Sequence, residues 1–423
     1  MHTPERLIRV LGAIAMLVGT PSPPAHGQAP PGSNLQVFLM TMGPGADIYE
    51  RFGHNAIWIR DTLAHTDLIY NYGMFEFPAG LGEKLAFYWR FAMGRPRYWL
   101  GVDSSLQHML DVYRYYERDV SAQALNLTPA QRAGLASRLA VNALPQNRVY
   151  TYDYFRDNCS TRVRDMLDVV LGGALKRATR DRPGAGSLRF HTLRSITNDK
   201  LMFLGIDAAF GPRVDHRIDR WDEMFLPEKV QQRVGELHVP DGGGAQQPLV
   251  KAAFPLLTIG RYHIDPAPPH WLGMLTLIAA LVAGIMLLAL LSGPAGVVGR
   301  VVMTAWFLLL GLGGLLVLFF WLCTDQVSTY ANHNLLFFSP LALGVVPLVW
   351  ARDAASASRW NSRLVGLLAA GVVLGFGLTA VPIVTPQDNL RIAVLAGVPT
   401  LAGAWVLARK LRTSNLMAGW GGG

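Results

Sequence analysis

WLGMLTLIAALVAGIMLLALLSGPAGVVGRVVMTAWFLLLGLGGLLVLFFWL, residues 271–322, holds a single charged side chain, Arg300. A bilayer span takes about 20 apolar residues, so this stretch supplies two, Trp271 to Ser292 and Val301 to Leu322. Leu335 to Trp350, Leu364 to Val384 and Ile392 to Leu407 supply three more, the first and last of them short. Threading five helices in series puts Arg300, the Arg352, Arg359 and Arg363 loop and the Arg409, Lys410 and Arg412 tail on one side. Lys and Arg accumulate on the cytoplasmic side of membrane proteins. The segments Thr324 to Asn334 and Thr385 to Leu390 then face outward together with everything before Trp271, and Arg391 is the one exception to the charge rule.

Upstream of the spans the chain changes character. Over the whole chain 51% of residues are hydrophobic, yet from Gln28 to Arg261 charges recur every few residues, as in a water-soluble domain. That length buries a core without disulfides or metal. Arg6 and Arg9, the apolar run Val10 to Val18 and the small-residue site Ala25-His26-Gly27 read as a secretory signal over residues 1–27, with cleavage expected after Gly27. The formal charge of +9 raises nucleic acid as a partner. Much of that surplus flanks the apolar spans, and an exported domain does not meet nucleic acid, so a lipid bilayer with anionic headgroups is the expected partner. Two cysteines, Cys159 and Cys323, do not make a disulfide framework; they pair with each other, or Cys159 is a free exported thiol that calls for a chemical reason.

Within the domain, Leu35 to Thr41 reads as a strand ended by Gly43-Pro44-Gly45, and His54 to Arg60 with Asp67 to Met74 as a hairpin. Thr128-Pro129-Ala130-Gln131 is a helix start with a capping box, the helix running to about Asn142. Asp157-Asn158-Cys159-Ser160 opens another, with Val163, Met166, Leu167 and Val170 on one face. The expectation is therefore an α+β domain over 28–240, then a linker over 241–270 containing Gly242-Gly243-Gly244 and Pro266 to Pro269, a five-helix bundle over 271–410 and a cytoplasmic tail over 411–423.

Cys159 stands at a helix N-terminus, where free backbone N–H groups and the helix dipole favour a thiolate and can also hold an oxyanion. Asn158, Ser160 and Arg162 are the neighbouring candidates for that second task, and Arg162 and Arg164 add positive charge. His54, after Gly53, is the candidate base. The opposing strand offers Asn71 and Asp67 to orient it, and the hairpin connection offers His65. Tyr70 and Tyr72 would wall the site. The plainer readings are a Cys159 that is a small buried hydrophobe and a His54 that is a satisfied structural group. There is no HExxH, no CxxC and no phosphate loop, so neither a metal nor a cofactor is expected.

Met42-Gly43-Pro44-Gly45, Phe52-Gly53-His54-Asn55-Ala56-Ile57, Tyr70-Asn71-Tyr72-Gly73-Met74-Phe75 and Asp157-Asn158-Cys159-Ser160-Thr161-Arg162 resemble the signature of the Lnb-type bacterial family, in which an exported domain precedes transmembrane helices. In the membrane half, Asn332-His333-Asn334-Leu335-Leu336 before Pro340 is similar as well. The order His then Asn-Cys is also similar to the permuted papain-like arrangement of lecithin:retinol acyltransferase relatives. The resemblance implies lipoprotein N-acylation at the bacterial inner membrane: Cys159 as nucleophile, His54 as base, a phospholipid acyl donor and the N-terminal amine of a diacylglyceryl lipoprotein as acceptor. His65 lies near the spacing of a second His in those relatives, leaving it level with Asn71. Asp325, Asn332 and His333 fall on the Cys159 side of the membrane, as candidates for headgroup contact or as plain helix caps. Two other classes stand beside this one, an exported cysteine hydrolase (a cell-wall amidase or peptidase, or a lipid hydrolase) and a membrane-anchored binding module without catalysis.

Overall fold

The computed structural model describes residues 29–420 except 77, 242, 352–358 and 382–385, and the side chains only as far as 413; the expected signal segment and Arg352 lie outside the described residues. The elements begin β1 (Leu35–Met42), β2 (His54–Asp61), β3 (Thr66–Met74), α1 (Leu81–Ala92), β4 (Arg97–Asp103), α2 (Leu106–Tyr115), β5 (Val120–Leu125) and α3 (Pro129–Asn142). They continue β6 (Val149–Thr151), α4 (Cys159–Val170), α5 (Ala174–Thr179), β7 (Pro183–Ser187), α6 (Leu188–Ser195), α7 (Lys200–Ala209), β8 (Arg217–Asp219) and α8 (Pro227–Glu236). Then come β9 (His238–Pro240), β10 (Gln246–Pro248), β11 (Val250–Leu257), α9 (Leu272–Leu287), α10 (Gly293–Cys323), α11 (Leu341–Trp350), α12 (Arg359–Ala380) and α13 (Leu390–Trp420).

A seven-stranded antiparallel sheet, in the order β11-β5-β1-β2-β3-β4-β6, organises the first part. Strand β1 is apolar almost throughout because both faces of the sheet are covered. Val37 and Leu39 join Ile57 and Ile59 under α3, α4 and α8. Phe38, Met40 and Met42 join Ala56, Trp58 and Met109 of α2 on the other side. Helix α4 is held to the first face by Val163 and Leu167, both fully buried. Truncating either to Ala removes contacts worth about 2–5 kcal/mol.

The stretch 241–270 is not a plain linker. Gly243 and Gly244 lie in the turn between β9 and β10, and β11 joins the sheet beside β5. A glycine run serves a tight turn as well as a flexible tether, so composition misled here. Only residues after Leu257 lead to the membrane.

Five helical segments are long and apolar enough to cross a membrane: Leu272–Leu290, Gly293–Cys323, His333–Trp350, Arg359–Ala380 and Leu390–Thr413. The soluble domain docks on the two loops expected on its side. Asn332 Nδ2 donates to the carbonyls of Ala208 and Ala209 (both 2.9 Å), and Gln387 Nε2 donates to that of Phe210 (3.1 Å). These are carbonyls at the C-terminal end of α7, which have no partner within their own helix. Asn334 and Asn389 extend the network, Asn389 Nδ2 reaching Asn334 Oδ1 at 2.9 Å. The buried Asp207 carboxylate takes Arg189 Nη1 at 2.6 Å from the domain and Arg391 Nε at 2.9 Å from the bundle. Arg391, the exception to the charge rule, is thus neutralised by the domain above it. A second contact joins Arg95 to Asp325 at 2.5 Å, with Asp325 N–H donating to Met93 O.

Arg189 also chelates Asp215, and removing one member of a buried charge cluster leaves the others uncompensated. Arg189→Met is expected to destabilise the full chain by about 3–5 kcal/mol, read as a lowered thermal midpoint in detergent; an unshifted midpoint would mean that the cluster does not hold the two halves together.

Candidate active site at the open end of the β2–β3 hairpin

The site grows from an interruption in the sheet. The β2–β3 ladder ends at the pair Ile57 and Tyr70, and β3 bulges between Asn71 and Met74 before resuming its pairing with β4. Gly73 sits in the bulge at φ +86°, and a Cβ there would lie 3.4 Å from the Cys159 Cβ. The N-terminus of α4 points into the opening. Asn158 caps it: Oδ1 accepts from the N–H groups of Ser160 and Thr161 (both 2.9 Å), while Nδ2 donates to Tyr154 O (2.8 Å) and Phe225 O (2.9 Å). The cap sets the direction in which Cys159 leaves the helix.

The backbone N–H groups of Asn55 and Ser160 lie close enough to the Cys159 sulfur to favour its charged form, and the Ser160 hydroxyl lies 3.8 Å away. Asn55 immediately follows His54, so the thiol rests against the backbone that carries the imidazole. Gly53 makes that approach to β1 possible, at φ +82° with a Cβ that would stand 2.7 Å from Met42 O. The His54 Nε2 hydrogen-bonds Asn71 Oδ1 at 3.3 Å. An amide oxygen only accepts, so Nε2 carries the proton and Nδ1 keeps its lone pair. By strand alternation His54 and Asn71 lie on the α2 face, whereas Cys159 comes from the α4 face. They approach the sheet from opposite faces near the end of the β2–β3 ladder, and among the described residues sulfur and ring are not hydrogen-bonded to each other.

Burial, followed by the positive charge of Arg118, lowers the His54 imidazole to about 4, while Asn71 pulls it upward. Burial pushes the Cys159 thiol above its ordinary range, outweighing the N–H groups, the Ser160 hydroxyl and Arg118, which pull it down. The expectation of a thiolate at the helix N-terminus is therefore corrected: desolvation exceeds the dipole, and the resting pair is a neutral thiol beside a neutral imidazole. Arg118, whose charge falls on His54 and Cys159, carried no sequence motif. Its Nε donates to Gly43 O (2.9 Å), Nη1 meets Glu50 at 3.3 Å, and the buried Nη2 has no partner.

Around the sulfur stand Tyr98, Tyr150, Tyr152 and Tyr154. Burial, then proximity to Cys159, pushes the Tyr98 hydroxyl up to about 12, and the same two causes raise Tyr150 and Tyr152. Phe155, in the loop before Cys159, meets the ring of Phe210 at 6.2 Å, directly beside the α7 carbonyls that dock on Asn332 and Gln387.

The other candidates are placed differently. His65, at φ 53°, and Asp67 belong to the closed end of the hairpin, roughly 20 Å from His54 at about 3.3 Å per residue. Asp67 is held there by Trp58 Nε1 (2.6 Å) and Arg60 (2.9 Å). The closed end cannot reach the imidazole, which leaves Asn71 as its partner. Arg162 is paired with Asp157 through two hydrogen bonds (2.6 and 2.8 Å) and stacks on Tyr150 at 3.6 Å. Tyr72 is buried, its hydroxyl accepting from Asn142 Nδ2 at 2.8 Å, and Ser160 is fully buried. Asn158 spends its side chain on the cap. Asp325 and Asn332 are docking groups, and the His333 N–H donates to Gln387 Oε1 at 2.9 Å. Both cysteines are free, Cys159 buried and Cys323 exposed.

Fold and helices together define a multi-pass membrane protein carrying an extramembrane α+β domain. The Lnb N-terminal periplasmic domain matches residues 26–199 and the Lnb transmembrane domain matches residues 269–398. The chain belongs to the Lnb-type family, with its periplasmic N-terminal domain and C-terminal membrane domain in the family's order. No curated protein and no solved structure matches it.

Thiolate is the species that alkylates. With the thiol raised by burial, iodoacetamide modification of Cys159 in a Cys323→Ser background should climb about tenfold per pH unit from pH 7 to 9, followed by intact mass. A plateau below pH 8 would mean a preformed thiolate and contradict the dominance of burial over the helix dipole.

Proposed function

We propose that the protein is a membrane-bound thiol acyltransferase of the inner membrane, moving an acyl chain from a phospholipid through Cys159 to the N-terminal amine of a diacylglyceryl lipoprotein. The observation that supports the reading is the buried thiol at the N-terminus of α4, past the end of the β2–β3 ladder and near the backbone of Asn55, the residue after His54. The donor and acceptor come from the family resemblance; the physical support is that both are lipid-anchored, so a site fixed at the interface meets them by lateral diffusion.

In the first half-reaction the thiol attacks the ester carbonyl of the donor. His54 Nδ1 takes the thiol proton as the carbon–sulfur bond forms, and the resulting imidazolium returns that proton to the departing alkoxide, releasing lysophospholipid. Asn71 holds the tautomer this requires. The N–H groups of Asn55 and Ser160 are the donors closest to the reacting sulfur and are the candidates for the oxyanion. In the second half-reaction the amine attacks the thioester, an amide forms, and the thiol is regenerated. An imidazole lowered to about 4 is unprotonated through the whole neutral range, so its lone pair is free, and transfer from the raised thiol is uphill until the carbon–sulfur bond forms.

Wild-type protein incubated with labelled phospholipid should yield a hydroxylamine-sensitive acyl-enzyme, and adding an amine-terminated diacylglyceryl peptide should discharge it to an amide. Cys159→Ser should abolish the adduct, and His54→Ala should slow its formation by about 10²–10⁴-fold. Free fatty acid in place of the amide would turn the reading to a hydrolase. No adduct in wild type would favour the binding module, and full transfer by Cys159→Ser would reject Cys159 as the nucleophile.

A further inference from the structure

Helix α1 exposes apolar surface of a kind that soluble monomers rarely show. Leu81, Leu85, Tyr88 and Trp89 are 76%, 63%, 59% and 58% exposed and share one side of the helix at spacings of three and four residues. Glu83 and Arg90 lie on the opposite side. The helix is attached to the outer end of a membrane span. The Trp89 ring meets Phe319 of α10 at 6.0 Å, Gln326 Nε2 donates to Phe91 O at 2.8 Å, and Arg95 pairs with Asp325 just past the end of α10. An apolar face with Tyr and Trp, continuous with the outer end of a span, is what an in-plane interfacial helix presents to lipid.

Behind α1 a run of rings leads inward. Phe87 stacks on Phe75 (6.1 Å), Phe75 meets Tyr98 (5.1 Å), and Tyr98 stacks on Tyr152 (4.4 Å), beside Cys159. We propose that α1 lies in the outer-leaflet interface of the bilayer and that the rings behind it form the path by which an acyl chain passes from the membrane to the thiol. The path rests on the acyltransferase reading; the position of α1 stands without it. A lipid chain leaving the bilayer here stays against aromatic surface instead of crossing water, and the hydroxyls of Tyr98 and Tyr152 mark where the apolar path meets the polar site.

The test uses the full chain in phosphatidylcholine and phosphatidylglycerol nanodiscs. In a Cys159→Ser, Cys323→Ser background, Leu85→Cys carrying an NBD fluorophore should emit at the wavelength of a lipid environment and be quenched by brominated phosphatidylcholine. Emission typical of water with quenching by iodide would overturn the position of α1. Separately, with Cys159 intact, Leu85→Glu with Tyr88→Glu should lose at least ten times more acylation rate on bilayer phospholipid than on a soluble short-chain ester. Equal losses on the two substrates would overturn the path. If no ester of either kind acylates Cys159 in wild type, the acyltransferase reading and the path fall together, while the quenching result still decides where α1 lies.

Discussion

A strand N–H that points at a sulfur is the constraint on which the site depends. Asn55 is in register with Thr41 of β1 but lies past the end of the β2–β3 ladder, and its amide favours the charged form of the Cys159 sulfur. The sulfur therefore lies near the strand end that carries His54. The bulge at Gly73 and the Asn158 cap both serve the same end, one by a positive φ that a residue with a Cβ adopts only under strain and the other by satisfying the first turn of α4. Burial is the cost, and it explains why both titrating groups rest uncharged.

The membrane half provides position. Asn332, Asn334, Gln387 and Asn389 satisfy the carbonyls at the end of α7, and the Asp207 carboxylate ties Arg189 to Arg391 across the boundary. Buried polar groups must be paired, so the domain and the bundle complete one another's hydrogen bonding. Asp325 and Asn332, which look like headgroup ligands when read along the chain, are in three dimensions contacts between the helical half and the N-terminal domain.

Local signals read correctly. The Thr128-Pro129-Gln131 start became the capped α3, Asn158 became the cap of α4, and the five spans fell where hydropathy put them. Readings that needed a distant partner fared worse. Nothing near Arg118 announces that its charge falls on His54 and Cys159, and Asn55 acts through its backbone, which no side chain reveals. His65 stood level with Asn71 as long as spacing alone was used, but an antiparallel hairpin sends its turn away from its open end. The triple glycine resembled a tether because a turn and a tether share a composition. Helix α1 escaped notice because its apolar side faces outward and so carries no signature of a core.

Proton transfer from the thiol to the imidazole is the central claim, and chemical rescue tests it most directly. Single-turnover acylation of Cys159 by a soluble ester would be timed by intact mass in wild type and in His54→Ala, with and without added imidazole. If the imidazole is the base, the variant is slow and its rate recovers in proportion to imidazole concentration, since a free base can occupy the space the side chain vacates. A His54→Ala variant that acylates at the wild-type rate without imidazole would contradict that transfer.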